Sequence, residues 1–175
     1  ELCSGGSLAQ YLEEQDAGVP ELTVWTTLTE LTATLAGLHA LGVVHLDLKP
    51  ANVFITGDGA LKLGDFGLAR FLDRPSHSDV EGDRRYMAPE LLEGRVSFAA
   101  DIFSLGLMAL EMAANVELPE NGPAWTQLRH HGLESVSLKD VSQPLVDLIR
   151  SMIHPDPAFR PQARDILRHP LIATV

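Results

Sequence analysis

A polar run lies where the chain around it is apolar: His45-Leu46-Asp47-Leu48-Lys49-Pro50-Ala51-Asn52, between the β-rich pairs and triplets Val43-Val44 and Val53-Phe54-Ile55. That placement predicts a loop held between β segments, with its polar side chains brought to one region. Downstream, Leu61-Lys62-Leu63 reads as a second short strand. It is joined to the first by Thr56-Gly57-Asp58-Gly59, which favours a tight hairpin, and is followed by Asp65-Phe66-Gly67.

Helices are predicted on both sides of this β-rich centre. Ser7 and Gln10 have the spacing of a capping box for a short helix through Glu14, and Gly5-Gly6 reads as a flexible bend before it. From 23 to 41, Val24, Leu28, Leu31, Leu35 and Leu38 recur at three and four residues, giving one buried face, and Gly42 ends the helix. Residues 98–115 are apolar around most of a helical circumference, as in a helix at the centre of a core. Further helices are expected over 125–131, 142–152 and 162–168, separated by proline-rich stretches at 119–123 and 155–161. The expected architecture is a mostly helical α+β unit carrying two small β-hairpin elements.

At 175 residues the chain can bury one substantial core, and a hydrophobic fraction of 45% with 21% charged residues fits a globular chain. The formal net charge of −11 gives no support to a broad nucleic-acid footprint, so no nucleic-acid partner is expected. Arg70, Arg74, Arg84 and Arg85 do gather, either as a solvated loop or as part of a substrate-holding segment. A single cysteine, Cys3, excludes an internal disulfide and a cysteine zinc cluster. The adjacent His130 and His131 point away from one another on a helix and make poor joint ligands, so no structural metal is expected. The longest uncharged apolar run, near Ile102 to Leu110, is too short to span a bilayer.

Taken singly, an Asp-x-Lys or an Asp-Phe-Gly is a common turn sequence. Together, in this order and this loop and hairpin context, the groups have a chemical logic. Asp47 is a carboxylate suited to an acceptor hydroxyl, and Lys49 an amine suited to a transferring phosphate. Asn52 and Asp65 are the oxygen ligands that hard magnesium ions take. With His45, Gly67, Ala88-Pro89 and Glu90 added, the set resembles the protein kinases, specifically the larger, C-terminal lobe of the kinase domain.

The resemblance implies a kinase-like α+β fold over residues 1–175: the connector between lobes followed by a mainly helical C-terminal lobe, with the N-terminal lobe lying outside the chain. It implies ATP and magnesium as cofactors. Leu2 and Cys3 would pair with adenine through their backbone, Phe54 would lie against the ring, and Lys49, Asn52 and Asp65 would meet the phosphates and metal. Supporting roles fall to His45 and Gly67, to Glu90 and Arg160 as a buried ion pair, and to Asp101 as the anchor for backbone amides of the catalytic loop. Without a glycine-rich loop, a strand lysine or its partner glutamate, the 175 residues alone are expected to be inactive and to expose apolar surface.

Two departures narrow the likeness. Kinases usually carry arginine between the loop histidine and aspartate, where it binds a phosphorylated residue of the activation segment; here Leu46 stands there and cannot. Asp83 occupies a place where serine/threonine kinases commonly have threonine. Together these imply an enzyme independent of activation-segment phosphorylation, and Asp83 taken with Lys49, the serine/threonine-type residue at its own position, implies relaxed choice between aliphatic and phenolic hydroxyls. The runs Glu81-Gly82-Asp83-Arg84-Arg85-Tyr86-Met87-Ala88-Pro89-Glu90 and Asp101-Ile102-Phe103-Ser104-Leu105-Gly106-Leu107, with Glu117-Leu118-Pro119, Asn121-Gly122 and Trp125, resemble the Wee-type inhibitory kinases. The intact Ala88-Pro89-Glu90 favours their membrane-associated, tyrosine- and threonine-specific branch over the nuclear one.

That branch implies a cyclin-dependent kinase with its cyclin as protein substrate, phosphorylated on adjacent threonine and tyrosine to hold back mitosis. It also implies a location on the cytoplasmic face of endoplasmic reticulum or Golgi membranes, with membrane contact made only through segments outside these residues; nucleus or cytosol is the alternative. Two other readings stay open: a generic serine/threonine kinase, and a non-catalytic kinase-like module that docks a partner. The second has no need for the Asp47, Lys49, Asn52 and Asp65 set.

Overall fold

The computed structural model describes residues 3–15, 17–74 and 82–174. Its helices are α1 (Leu8–Glu13), α2 (Glu21–Ala40), α3 (Phe98–Ala114), α4 (Gly122–His131), α5 (Gln143–Met152) and α6 (Ala163–Ile166). Two antiparallel ribbons lie between α2 and α3: β1 (Val43–Val44) with β4 (Arg70–Phe71), and β2 (Val53–Ile55) with β3 (Leu61–Leu63). The architecture is thus the helical α+β arrangement expected, with β1 and β2 flanking the polar run.

Each element has a local cause. The Ser7 hydroxyl accepts the Gln10 amide at 3.2 Å while the Gln10 side chain accepts the Ser7 amide at 2.9 Å, closing the capping box at the start of α1. Gly5 and Gly6 are not a free bend. The Gly5 amide donates to the Ile55 carbonyl and the Ile55 amide to the Gly6 carbonyl, both at 2.9 Å, so this segment runs beside β2 as an extra strand-like edge. Between β2 and β3 the Thr56 amide donates to the Ala60 carbonyl at 2.9 Å, and the Thr56 hydroxyl bonds the Asp58 carboxylate and the Ala60 carbonyl.

The core is organised around α3, whose residues from Ala100 to Leu110 are all buried. Burying one leucine or phenylalanine of such a helix contributes roughly 1.5–3 kcal/mol. Where α3 meets the end of α5 there is no room for a side chain. A Cβ on Gly106 would stand 2.7 Å from Ile153 Cγ2 and 2.8 Å from Met152 Cβ. On its other side α3 packs against α2, whose Val24, Leu28, Leu31 and Leu35 form the predicted apolar stripe. Glu21 at the head of α2 accepts from the Ser142 amide and hydroxyl at 2.9 and 2.5 Å, tying α2 to the start of α5. Glu30 further along accepts the Leu61 amide at 2.8 Å, so α2 also carries the β2–β3 ribbon.

Several short pieces differ from the sequence expectation. Arg70–Phe71 forms β4 by pairing with β1, and single 3-10 turns occupy Pro50–Asn52, Pro89–Glu93, Gly132–Ser135 and Pro157–Phe159. Helix α4 starts three residues earlier than expected, at Gly122, with Pro123 in its first turn, where a missing amide is no loss.

Candidate active site

The polar run is pinned from below by one buried carboxylate. Asp101, on the first turn of α3, accepts the amides of His45 and Leu46 at 2.9 Å each, and His39 Nε2 of α2 lies 2.9 Å from its Oδ2. Leu46 consequently has φ +69°, a left-handed conformation that costs a residue with a Cβ about 1–3 kcal/mol. His45 is fully buried; its Nδ1 accepts the Asp47 amide at 3.3 Å, so the tautomer fitting these partners carries its hydrogen on Nε2 and donates it to the Gly64 carbonyl at 3.0 Å. The Phe66 ring meets the imidazole edge-on at 5.1 Å.

Above this support the run presents its acid and base groups together. Asn52 Nδ2 donates to the Asp47 carbonyl at 2.8 Å and to Asp47 Oδ2 at 2.9 Å, and Lys49 Nζ lies 3.1 Å from the same Oδ2. Asp47 Oδ1 accepts the Asp83 amide at 3.2 Å, so the far segment closes over the loop. Gly82, just before it, has no space for a Cβ, which would stand 2.8 Å from the Leu46 carbonyl. The Asp83 carboxylate is gripped by Arg85 Nε and Nη2 at 3.1 and 2.8 Å and lies 3.9 Å from Lys49 Nζ. Burial opposes the charged form of Asp83, but the hydrogen bonds and charge of Arg85, with Lys49 adding to them, hold its carboxyl below the usual carboxylate range.

Asn52 and Asp65 reach one end of the β2–β3 ribbon. Val53 pairs with Leu63, and the ladder runs one step further through the Gly64 amide to the Asn52 carbonyl at 2.9 Å, which puts Asp65 next in line. Asp65 is exposed, with φ +54°, and its Oδ1 accepts the Gly67 amide at 3.2 Å. With both Asn52 amide hydrogens given to Asp47, the Asn52 oxygen is the atom available to a ligand. Two hard oxygen donors at one ribbon end fit a magnesium ion.

The remaining assigned residues are spread over the fold. Phe54 projects from β2 on the side opposite the buried Val53, its ring so close to Gly64 that a Cβ there would stand 2.6 Å from Cε2. Cys3 is half-buried at the head of the segment that pairs with Ile55, and Leu2 lies outside the described residues. Glu90 and Arg160 form a buried two-pronged pair at 2.6 and 2.9 Å, and Arg160 also donates to the carbonyls of His154, Ala99 and Pro155.

Beside Lys49 a cavity of about 400 Å³ extends between α1 and α3, lined by Pro50, Arg85, Tyr86, Glu111 and Glu117 among others. The Tyr86 hydroxyl donates to Glu111 Oε2 at 2.7 Å. Burial and Glu111 push the Tyr86 phenol up, and burial likewise holds the Glu111 carboxyl above its ordinary range against the tyrosine's hydrogen bond. Sequence reasoning gave no role to Tyr86, Glu111 or His39, nor to Arg129, and used Trp125 only as a mark of likeness. The i, i+4 spacing of Trp125 and Arg129 on α4 was the one available hint that they act on a common neighbour.

Comparison with known proteins agrees with this arrangement. The family model described as the protein kinase domain matches residues 1–172. The chain is 48% identical over 97% of its length to the membrane-associated tyrosine- and threonine-specific cdc2-inhibitory kinase of Drosophila melanogaster, covering 32% of that protein. It is 41% identical over 98% of its length to the corresponding kinase wee-1.3 of Caenorhabditis elegans, covering 25%. To the mitosis inhibitor protein kinase mik1 of Schizosaccharomyces pombe it is 41% identical over 96% of its length, again covering 32%. The chain therefore spans about a third or less of the length of these three relatives. A whole-chain family match, a helical α+β fold and these identities lead to one conclusion: the chain belongs to the protein kinase domain family and is similar over nearly its whole length to the Wee-type kinases.

Proposed function

We propose that the protein is an ATP-dependent protein kinase of Wee type that phosphorylates adjacent threonine and tyrosine residues of a cyclin-dependent kinase and so holds back mitosis. Residues 1–175 would supply its larger lobe and connector. The single observation carrying this reading is the cluster in which the Asp47 carboxylate meets Lys49 Nζ at 3.1 Å and Asn52 Nδ2 at 2.9 Å, with the Asp83 amide at 3.2 Å on its other oxygen. The relatives named as cdc2-inhibitory and mitosis-inhibitor kinases support the choice of substrate class.

In the reaction, the acceptor hydroxyl oxygen bonds to the γ-phosphorus as the bond from that phosphorus to the β-γ bridging oxygen breaks, and the hydroxyl proton passes to Asp47. Asn52 and Lys49 keep the Asp47 carboxylate turned toward the hydroxyl. Lys49 balances charge gathering on the transferred group. Asn52 and Asp65 would hold magnesium, which when bound screens the phosphate charge. Cys3 and Leu2 would meet adenine through their backbone, with Phe54 against the ring. Neither acid nor lysine selects between threonine and tyrosine, so both acceptors are expected.

Membrane association, which the printed names of two relatives mention, would come from other parts of the protein, since no helix among the described residues is long and apolar enough to cross a membrane. The test is to incubate the full-length protein with ATP, magnesium and a catalytically inactive cyclin-dependent kinase bound to its cyclin, and to map phosphate by mass spectrometry. Adjacent phosphothreonine and phosphotyrosine in the glycine-rich loop of the target are expected. Phosphate on serine and threonine alone, away from that loop, would favour a generic serine/threonine kinase.

A further inference from the structure

Arg129 is the largest fully buried side chain of the described residues, and no carboxylate among them pairs with it. Its guanidinium instead takes backbone carbonyls: Nε donates to Met87 at 2.9 Å, Nη2 to Arg84 and Arg85 at 2.7 and 2.9 Å, and Nη1 to Trp125 at 3.4 Å. The Trp125 indole donates to the same Arg84 carbonyl at 2.7 Å and lies under the guanidinium, 3.9 Å from centroid to carbon. Burial pushes this arginine down to about 9, with Arg84 adding repulsion, and it remains charged at neutral pH.

Stability alone gives little reason for such a group. An apolar side chain of similar volume fills a core as well as a buried ion does and avoids the desolvation penalty. What an apolar side chain cannot do is fix three carbonyls of an irregular segment, each of which would otherwise turn to water. The segment so fixed, 84–87, directly follows Asp83, whose amide bonds Asp47 and whose carboxylate bonds Arg85. It also contains Tyr86, bonded to Glu111 beside the cavity. On the catalytic-loop side, Leu46 offers no donor that could hold this segment through a phosphate.

We propose that Arg129 and Trp125 are positioning residues that clamp segment 84–87 from the α4 side, ordering the face that receives the protein substrate without a phosphorylated activation segment. This rests on the kinase reading above. The clamp acts on protein-substrate engagement and on the approach of Asp83 to Asp47, while the nucleotide-facing groups Phe54, Asn52 and Asp65 lie on the β2–β3 ribbon and are not touched by it.

The test compares full-length wild type with Arg129→Met, Arg129→Lys and Trp125→Phe, measuring kcat and KM for the protein substrate and KM for ATP, before and after phosphatase treatment. Trp125→Phe keeps an aromatic face, smaller than the indole, and removes the N–H, so it carries the test if Arg129→Met does not fold. Arg129→Met is expected to lower kcat/KM for the protein substrate by about tenfold or more, the worth of one hydrogen bond to a charged group. Its KM for ATP should stay at the wild-type value. Trp125→Phe is expected to lose a few-fold, and Arg129→Lys, which keeps charge but fewer donors, to fall between wild type and methionine. Wild-type activity should survive phosphatase. The proposal is overturned if folded Trp125→Phe and Arg129→Lys match wild type in both constants, if the loss falls on KM for ATP, or if phosphatase abolishes wild-type activity. Asp47→Asn in the same assay separates the two ideas: if it stays active the kinase reading fails, whereas an inactive Asp47→Asn beside an unaffected clamp pair rejects only the clamp.

Discussion

Two charged regions of the fold are finished differently. In the polar loop Asp47 and Lys49 leave 12% and 22% of their side chains open to solvent, whereas Glu90 and Arg160 leave 2% and 0%. Asp47 has partners on both oxygens and still faces outward, and Asp65 is exposed outright. Arg160 is enclosed by the Glu90 carboxylate and three carbonyls, and Arg129 by four carbonyls. A charge that must meet a ligand keeps a free direction, and a charge that fixes shape is given partners in every direction, because an unpaired buried ion costs several kcal/mol. Substitutions of Asp47 should therefore remove activity and spare stability, and those of the Glu90 and Arg160 pair should do the reverse.

The largest effect expected is on activity. Asp47→Asn keeps the shape and a hydrogen-bonding oxygen but loses the base, so turnover of the protein substrate should fall by about a hundredfold or more while the denaturant midpoint stays put. Near-normal turnover would refute the role given to Asp47. Next comes Arg160→Ala, which strands the buried Glu90 and should lower unfolding free energy by about 3 to 5 kcal/mol in urea titrations. Replacing both partners, Arg160→Met with Glu90→Leu, should cost less than the single change. If the double variant is the less stable, Glu90 is not held by this pair.

Smaller effects test the frame beneath both regions. Gly106→Ala forces a Cβ to within 2.7 Å of Ile153 at the α3–α5 crossing and should cost about 1–3 kcal/mol; an unchanged midpoint would mean the helices separate freely. Smallest is Glu111→Gln. Burial holds the folded-state carboxyl of Glu111 above its ordinary 4.5, so the stability tied to its neutral form is complete below that value and lost as pH rises through the folded-state value. The glutamine variant should accordingly melt slightly higher near neutral pH, and the gain should disappear in acid. A gain that persists in acid would point to packing instead of charge.

Much of this was legible residue by residue. The Ser7 and Gln10 pair, the stripe on α2, the Thr56 to Gly59 turn and the uniform apolarity of α3 each act through neighbours within a few positions, and each formed as the pattern implied. The residues proposed to be catalytic stand out in the sequence because their order is itself the signal. Strand β4 was not, since Arg70-Phe71 has no periodicity and exists only by pairing with β1. Gly5-Gly6 looked like a hinge because its partner, Ile55, lies fifty residues on. Likeness to kinases led from Glu90 to Arg160, but nothing in the family pattern led to Arg129.

The chain alone dictated which chemical groups are present, the helices and turns that short-range spacing favours, and a loop of polar residues between strands. Packing decided which of those groups meet: Asp83 with Asp47 across 36 positions, Arg129 with Met87 across 42, His39 with Asp101 across 62 and Arg160 with Glu90 across 70. Joining distant residues means closing long loops against chain entropy, and no local preference offsets that. Only burial of the α2, α3 and α5 faces does so, and the side chains that come to rest beside one another are those the closed core leaves in reach.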